Sequence, residues 1–233
     1  MTSKQAHTQR VSICTAFAST SGVLAVVQIL PYIRASIRGE TKPSRVASAI
    51  SLASNLVIVA SMVAAKAGAG LVLPLVFIVT GTITMVLAIK YGHTEITKND
   101  IRNGAVALLA LVAYLVFGSE VGLIAMPIAQ AAASLTIFTK LRRNPGTEDR
   151  VSWTILFIAG VLSVGSVVTD GAFDLAVLFA SVIRLVAFTA IAGLALYQQY
   201  REQLIALAHA ISEGHPHLHH IHHPAASDLA LTA

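Results

Sequence analysis

Apolar residues gather along the chain in seven blocks, each closed by a charged or turn-forming segment. The blocks are Val11–Ile33, Val46–Ala65, Gly70–Ile89, Ile101–Phe117, Val121–Thr139, Val151–Thr169 and Phe173–Gln198. Within each block apolar residues cover every face of a helix, without the alternation that the strands of a membrane barrel require. A helix needs about 20 such residues to cross the hydrocarbon of a bilayer. It also satisfies its own backbone there, which an open strand cannot do. The pattern predicts an all-α membrane protein with seven transmembrane helices. The first block is too long for the core of a signal peptide and runs into a basic loop, so it reads as the first span.

Charge supplies the orientation. Only 12% of the residues are charged and 55% are hydrophobic, against about 25% charged in a soluble domain. The net charge of +5 does not read as nucleic-acid binding, because the basic residues lie in short loops between apolar blocks. One side carries Lys4, Arg10 and Lys66. The other carries Arg34, Arg38, Lys42, Arg45, Lys90, Lys98, Arg102, Lys140, Arg142, Arg143, Arg150 and Arg201. The richer side is expected in the cytoplasm. This predicts an outside N-terminus, a cytoplasmic C-terminus and a multi-pass protein of the cell (plasma or inner) membrane. The turns on the other side carry Glu120, Asp170 and Asp174.

A weak internal repeat organises the blocks. Moved by 105 positions, Arg38 falls on Arg143, Arg45-Val46 on Arg150-Val151, Ile50 on Ile155, and Val59, Ser61 and Val63 on Val164, Ser166 and Val168. The offset maps spans one to three onto spans five to seven and leaves span four unpaired. A single intervening span lets two three-helix units share one orientation, as in transporters built from parallel repeats. The expected organisation is an extracytoplasmic N-terminus at 1–10, a first three-helix unit at 11–90, and a linker with the fourth helix at 91–118. A second three-helix unit follows at 119–200, then a flexible His-rich cytoplasmic tail at 201–233.

The stretch Gln28-Ile-Leu-Pro31-Tyr-Ile-Arg34, followed by Ile37-Arg-Gly-Glu-Thr-Lys-Pro-Ser-Arg-Val46, resembles the end of helix one and the first loop of PQ-loop membrane proteins. More narrowly, it resembles their bacterial SWEET-like relatives of unassigned substrate. Arg150-Val-Ser-Trp153 is similar to the start of the matching helix in the second unit, and Ala88-Ile-Lys-Tyr-Gly92 to the end of helix three. The resemblance covers roughly residues 15–200. It implies the 3+1+3 plan, the same orientation as the charge count, and alternating-access movement of small solutes such as sugars or amino acids. The chain departs from the pattern in lacking the Pro-Gln dipeptide, and in having Thr136 where the repeat would place the second proline.

The candidate chemistry is sparse. Arg184 lies near the middle of the seventh block. A guanidinium stays charged, and an intramembrane charge faces the bundle interior, a wet cavity or a partner. SWEET-like proteins have a substrate-contacting asparagine near this place. An arginine there would favour a carboxylate or phosphate over a neutral sugar; the alternative is a structural pair. Ser181 lies one turn away on nearly the same face. Asn55 in span two, Gln130 in span five, and Thr80 with Thr82, Thr84 and Gly81 in span three are further solute contacts or helix-packing residues. Pro31 should kink span one, as an inner gate or a plain helix end, with Gln28 helping to satisfy the freed backbone groups. Cys14, the one cysteine, reads as a small packing residue. His215, His217, His219, His220, His222 and His223 form a tract that could hold zinc, nickel or copper weakly.

No nucleotide-loop, dinucleotide-binding, zinc-protease or serine-hydrolase motif is present, and no cofactor is expected. The function expected is transport of a small polar solute (sugar, amino acid or small organic anion) by a non-enzymatic carrier. Its partners would be the lipid bilayer, the solute and, left open, a second copy of the chain; nucleic acid is not among them. A metal-handling carrier using the tail and a non-transporting scaffold or receptor are the other classes.

Overall fold

A computed structural model describes residues 3–92, 96–170 and 174–212, all statements of absence below being made of these. The elements are α1 (Ser3–Val27), α2 (Ile29–Ile37), α3 (Arg45–Ala64), a short 3-10 turn at Gly68–Leu71, and α4 (Val72–Tyr91). There follow α5 (Lys98–Phe117), α6 (Ser119–Arg143), α7 (Arg150–Thr169) and α8 (Leu175–Ser212). No strand occurs among the described residues. Seven helical segments are long and apolar enough to cross a membrane, α1 and α2 together making the first. The chain divides between Leu196 and Tyr197 into two compact units, and the packing and site described here belong to the first.

Local chemistry sets the helix ends. Ser44 Oγ accepts from the Ala47 N–H at the start of α3. Asp149 accepts from the Ser152 N–H at the start of α7. Thr97 and Asp100 form a reciprocal capping box on α5, and Asp174 accepts from the N–H groups of Ala176 and Val177 at α8. Each satisfies donors that the first helical turn leaves free. Arg45 works at the opposite end of a neighbour: its Nε and Nη2 donate to the Ala88 and Ile89 carbonyls, 3.2 and 2.9 Å away, closing α4. A cation there also suits the negative end of the helix dipole. Between Pro43 and α4 only glycine fits at position 92, since a Cβ would stand 2.3 Å from the Ala88 carbonyl oxygen and 2.4 Å from that of Pro43.

Several boundaries differ from those expected. Span one is broken at Gln28 rather than continuous over Val11–Ile33, and it runs on to Ile37. Pro31 has no N–H to offer the Val27 carbonyl, so the helix loosens one turn before the proline. Pro127, inside α6, leaves that helix unbroken. Helix α8 runs past position 201 to Ser212. The capping box places Asp100 inside the first turn of α5, and Glu120 lies in the first turn of α6, so these helices begin before the expected Ile101 and Val121.

Packing follows small residues. α1 lies along α7, α3 along α4 and α6, α5 along α6, and α1 also against α4. On the α1–α7 seam Ser21 Oγ donates to the Ala159 carbonyl at 2.7 Å, and Cys14 Sγ to that of Ser166 at 3.2 Å. Ala25 and Ala159 are fully buried there. Close approach through small residues with occasional polar bonds is how helices associate in lipid. Phe188, Ile191, Ala192 and Ala195 of α8 join Phe77, Trp153 and Leu156 in one core cluster, and Val177 and Ala180 join Leu123, Met126 and Ala129 in another. Val79, Leu109, Leu115 and Phe117 stay largely exposed, a surface suited to acyl chains.

Candidate functional site

A cavity of about 140 Å³ lies among α2, α3, α4, α6, α7 and α8. A water needs ~10–15 Å³ on the same measure, so the space suits a solute of on the order of ten heavy atoms. Its deep end, near mid-span, is walled by Asn55, Phe77 and Phe188. Hydroxyls and amides line the middle: Ser51, Thr80, Thr84, Gln130 and Ser134. At the loop end stand Tyr32, Ser44, Lys140, Glu148 and Trp153. The cavity thus joins aromatic faces to neutral donors and acceptors, the composition of a small-molecule site.

The helix backbone holds many of these groups in place. Thr80 Oγ1 and Thr84 Oγ1 donate to the carbonyls of Val76 and Thr80, at 3.2 and 2.9 Å. Ser134 Oγ donates to the Gln130 carbonyl. Gln130 Nε2 donates to Ser51 Oγ at 3.4 Å, bridging α6 and α3. Gly81, also in the wall, lets α4 approach Leu52 of α3, where a Cβ would sit 3.6 Å from the leucine side chain.

At the loop end the charges are paired. Lys140 Nζ donates to Glu148 Oε1 at 2.9 Å and to the Lys42 carbonyl at 2.8 Å. Trp153 Nε1 donates to Glu148 Oε2 at 3.2 Å. Glu148 is 5% exposed, so both its oxygens are engaged away from water. Ser152 Oγ donates to the Gln28 carbonyl at 3.0 Å and also meets the Asp149 carboxylate. The break in span one is therefore tied to α7 through the Gln28 carbonyl, and the Gln28 side chain lines the cavity.

Arg184 stands behind the deep wall. It is 3% exposed. Its Nη2 donates to Asn55 Oδ1 at 3.2 Å, and its guanidinium carbon is 5.3 Å from the centre of the Phe77 ring. Asn55 Nδ2 donates to the Ser51 carbonyl. Arg184 Nε and Nη1 are buried with no hydrogen-bond partner.

The expected site residues thus separate. Asn55, Gln130, Thr80 and Gln28 line one cavity. Arg184 reaches that cavity only through Asn55 and Phe77. Ser181 does not line it; its hydroxyl turns back to the Val177 carbonyl of its own helix. Pro31 lies outside the lining, one turn after the helix break at Gln28. Thr82, unlike its neighbours, is on an exposed face. His215, His217, His219, His220, His222 and His223 lie outside the described residues.

Several contributors were not singled out from the sequence for the site, among them Ser51, Phe77 and Phe188 in the cavity wall. Lys140 figured only as a loop charge, Trp153 and Tyr32 only within the stretches that carry the resemblance, and Glu148 not at all. An acid directly before a helix-capping Asp, with Ser-Trp following, was a signal for Glu148.

Comparison of the chain with protein-family models, with functionally characterised proteins and with solved structures finds no match.

Proposed function

We propose that the chain is a membrane carrier that moves a small polar solute by alternating access, built on a PQ-loop/SWEET-like 3+1+3 plan. The observation that carries this is the cavity itself: a largely buried space reaching mid-span, with hydroxyls, amides and aromatic faces from helices of both halves. A scaffold of packed spans has no use for such a space, since an unfilled cavity forfeits packing contacts and so costs stability.

The repeat reading gains support from the helices. α3 and α7 each begin on an arginine, run for 20 residues and carry a side-chain N-cap on the preceding residue, at positions 105 apart. The close pairings of span one with span six and of span two with span five exchange under the same mapping, as a two-fold related pair of units would require. In this reading the basic loops are cytoplasmic, the cavity faces that side, and the break at Gln28 next to Pro31 is where the first span flexes.

Trp153 is the sole tryptophan of the chain and lines the cavity, so its emission reports on occupancy directly. In purified protein, a transported sugar, amino acid or organic acid should shift Trp153 fluorescence saturably. The same compound should enter proteoliposomes in a protein-dependent way. Protein that takes up none of these solutes into liposomes would end the carrier reading.

A further inference from the structure

We propose that the deep end of the cavity is a carboxylate-binding site centred on Arg184, making the solute a small organic acid. The assignment of that carboxylate to a transported solute rests on the carrier reading, whereas the anion site stands apart from it. Three observations converge. The guanidinium is buried at mid-span, where an intramembrane charge demands a partner. Two of its donor atoms, Nε and Nη1, are unpaired, and no salt bridge to it occurs among the described residues. Its remaining contacts, the Asn55 amide oxygen and the Phe77 ring face, are neutral and belong to the cavity wall.

Charge-assisted hydrogen bonds are roughly twice as strong as neutral ones. A carboxylate entering the cavity therefore competes favourably with Asn55 Oδ1 for the guanidinium. Rotation of the Asn55 side chain away from Arg184 opens the path, and the Asn55 amide N–H is then free to donate to the same ligand. The charges at the loop end do not compete, because Lys140 and Glu148 neutralise each other. Thr80 Oγ1 and Thr84 Oγ1, whose protons go to helix carbonyls, keep lone pairs to accept from the rest of the molecule, beside the Ser51 hydroxyl.

The site makes an unusual demand on its variants. Arg184→Gln removes the unpaired charge. Asn55→Asp supplies a carboxylate within the protein, at the position now 3.2 Å from Nη2. Both should leave the ligand-free protein at least as stable as wild type and should weaken carboxylate binding by about tenfold or more.

The test follows thermal stability and Trp153 emission of the full chain in detergent at constant ionic strength. Naphthalene-1,5-disulfonate, too large for the cavity, is the background anion. Acetate, lactate and glutamate are titrated alongside lactamide and chloride. The expected result is saturable stabilisation of wild type by at least one carboxylate, none by lactamide, and loss of the response in both variants. Three results would each overturn the site: no response to any carboxylate, equal responses to lactate and lactamide, or variants that respond like wild type. Chloride that stabilises through Arg184 and abolishes the carboxylate response would overturn the carboxylate assignment in favour of a resident inorganic anion. Proteoliposome uptake separates the two readings. Arg184-dependent binding without uptake supports the site and removes the carrier, while Arg184-independent uptake of a neutral solute keeps the carrier and removes the site.

Discussion

At the loop end of the cavity a cation, Lys140, meets a carboxylate 2.9 Å away and a backbone carbonyl at 2.8 Å. At the deep end another, Arg184, meets one amide oxygen and the face of a ring. Both lie next to the same space, yet only the first is balanced. The loop end ties three segments together: the loop after α2 through Lys42, α6 through Lys140, and the approach to α7 through Glu148. A satisfied pair of this kind holds structure. The deep end keeps a charge that no counter-charge among the described residues balances, its contacts being one amide oxygen and a ring face. The difference teaches that two cations beside one cavity can differ in how far their hydrogen-bonding demand is met, and it is the unmet demand of Arg184 on which the proposed anion site rests.

Substitution can break that contrast. The largest effect is expected at the loop end. Lys140→Met leaves Glu148 buried with only Trp153 as partner, and should cost about 3 kcal/mol of stability, the low end for one-sided loss of a buried pair because the lysine side chain is 18% exposed. Pairing it with Glu148→Gln should recover most of the loss, giving a strong coupling in a double-mutant cycle by chemical denaturation; additive losses would show the pair to be incidental.

The opposite sign is expected at the deep end. Arg184→Met should stabilise ligand-free protein by about 1 kcal/mol, since well-packed apolar groups often replace buried charges without loss. A destabilisation of similar size to that of Lys140→Met would erase the distinction between the two ends.

The smallest effect on stability belongs to the wall between them. Gln130→Ala removes a single 3.4 Å bond to Ser51 and should change unfolding by under about 1 kcal/mol. If the carrier reading holds, the same change should raise the half-saturating solute concentration several-fold, measured by Trp153 fluorescence. Unaltered affinity would place Gln130 in packing rather than in binding.

Much of this architecture is readable without coordinates, and the reason is local. The seven spans follow from runs of apolar residues, because lipid rewards continuous apolar helices whatever their neighbours. Ser44, Thr97, Asp149 and Asp174 mark helix starts by chemistry that acts within three residues. That Arg184 would turn inward also follows from its place in an apolar run, and the structure buries it. The break in span one was foreshadowed by Pro31, although its place at Gln28 depends on which carbonyl the proline leaves without a donor.

What only the tertiary structure decided is the assignment of partners. Ser181 and Arg184 share one helix, yet the serine bonds its own backbone and the arginine reaches α3. Glu148, in the loop between α6 and α7, folds under Lys140 and Trp153. Tyr32, Trp153, Phe77 and Phe188 come from four segments and wall one space. Such meetings depend on the rotation of each helix about its own axis. Spans that are apolar on all sides carry little information about that rotation, so the packing of small residues on the seams settles it.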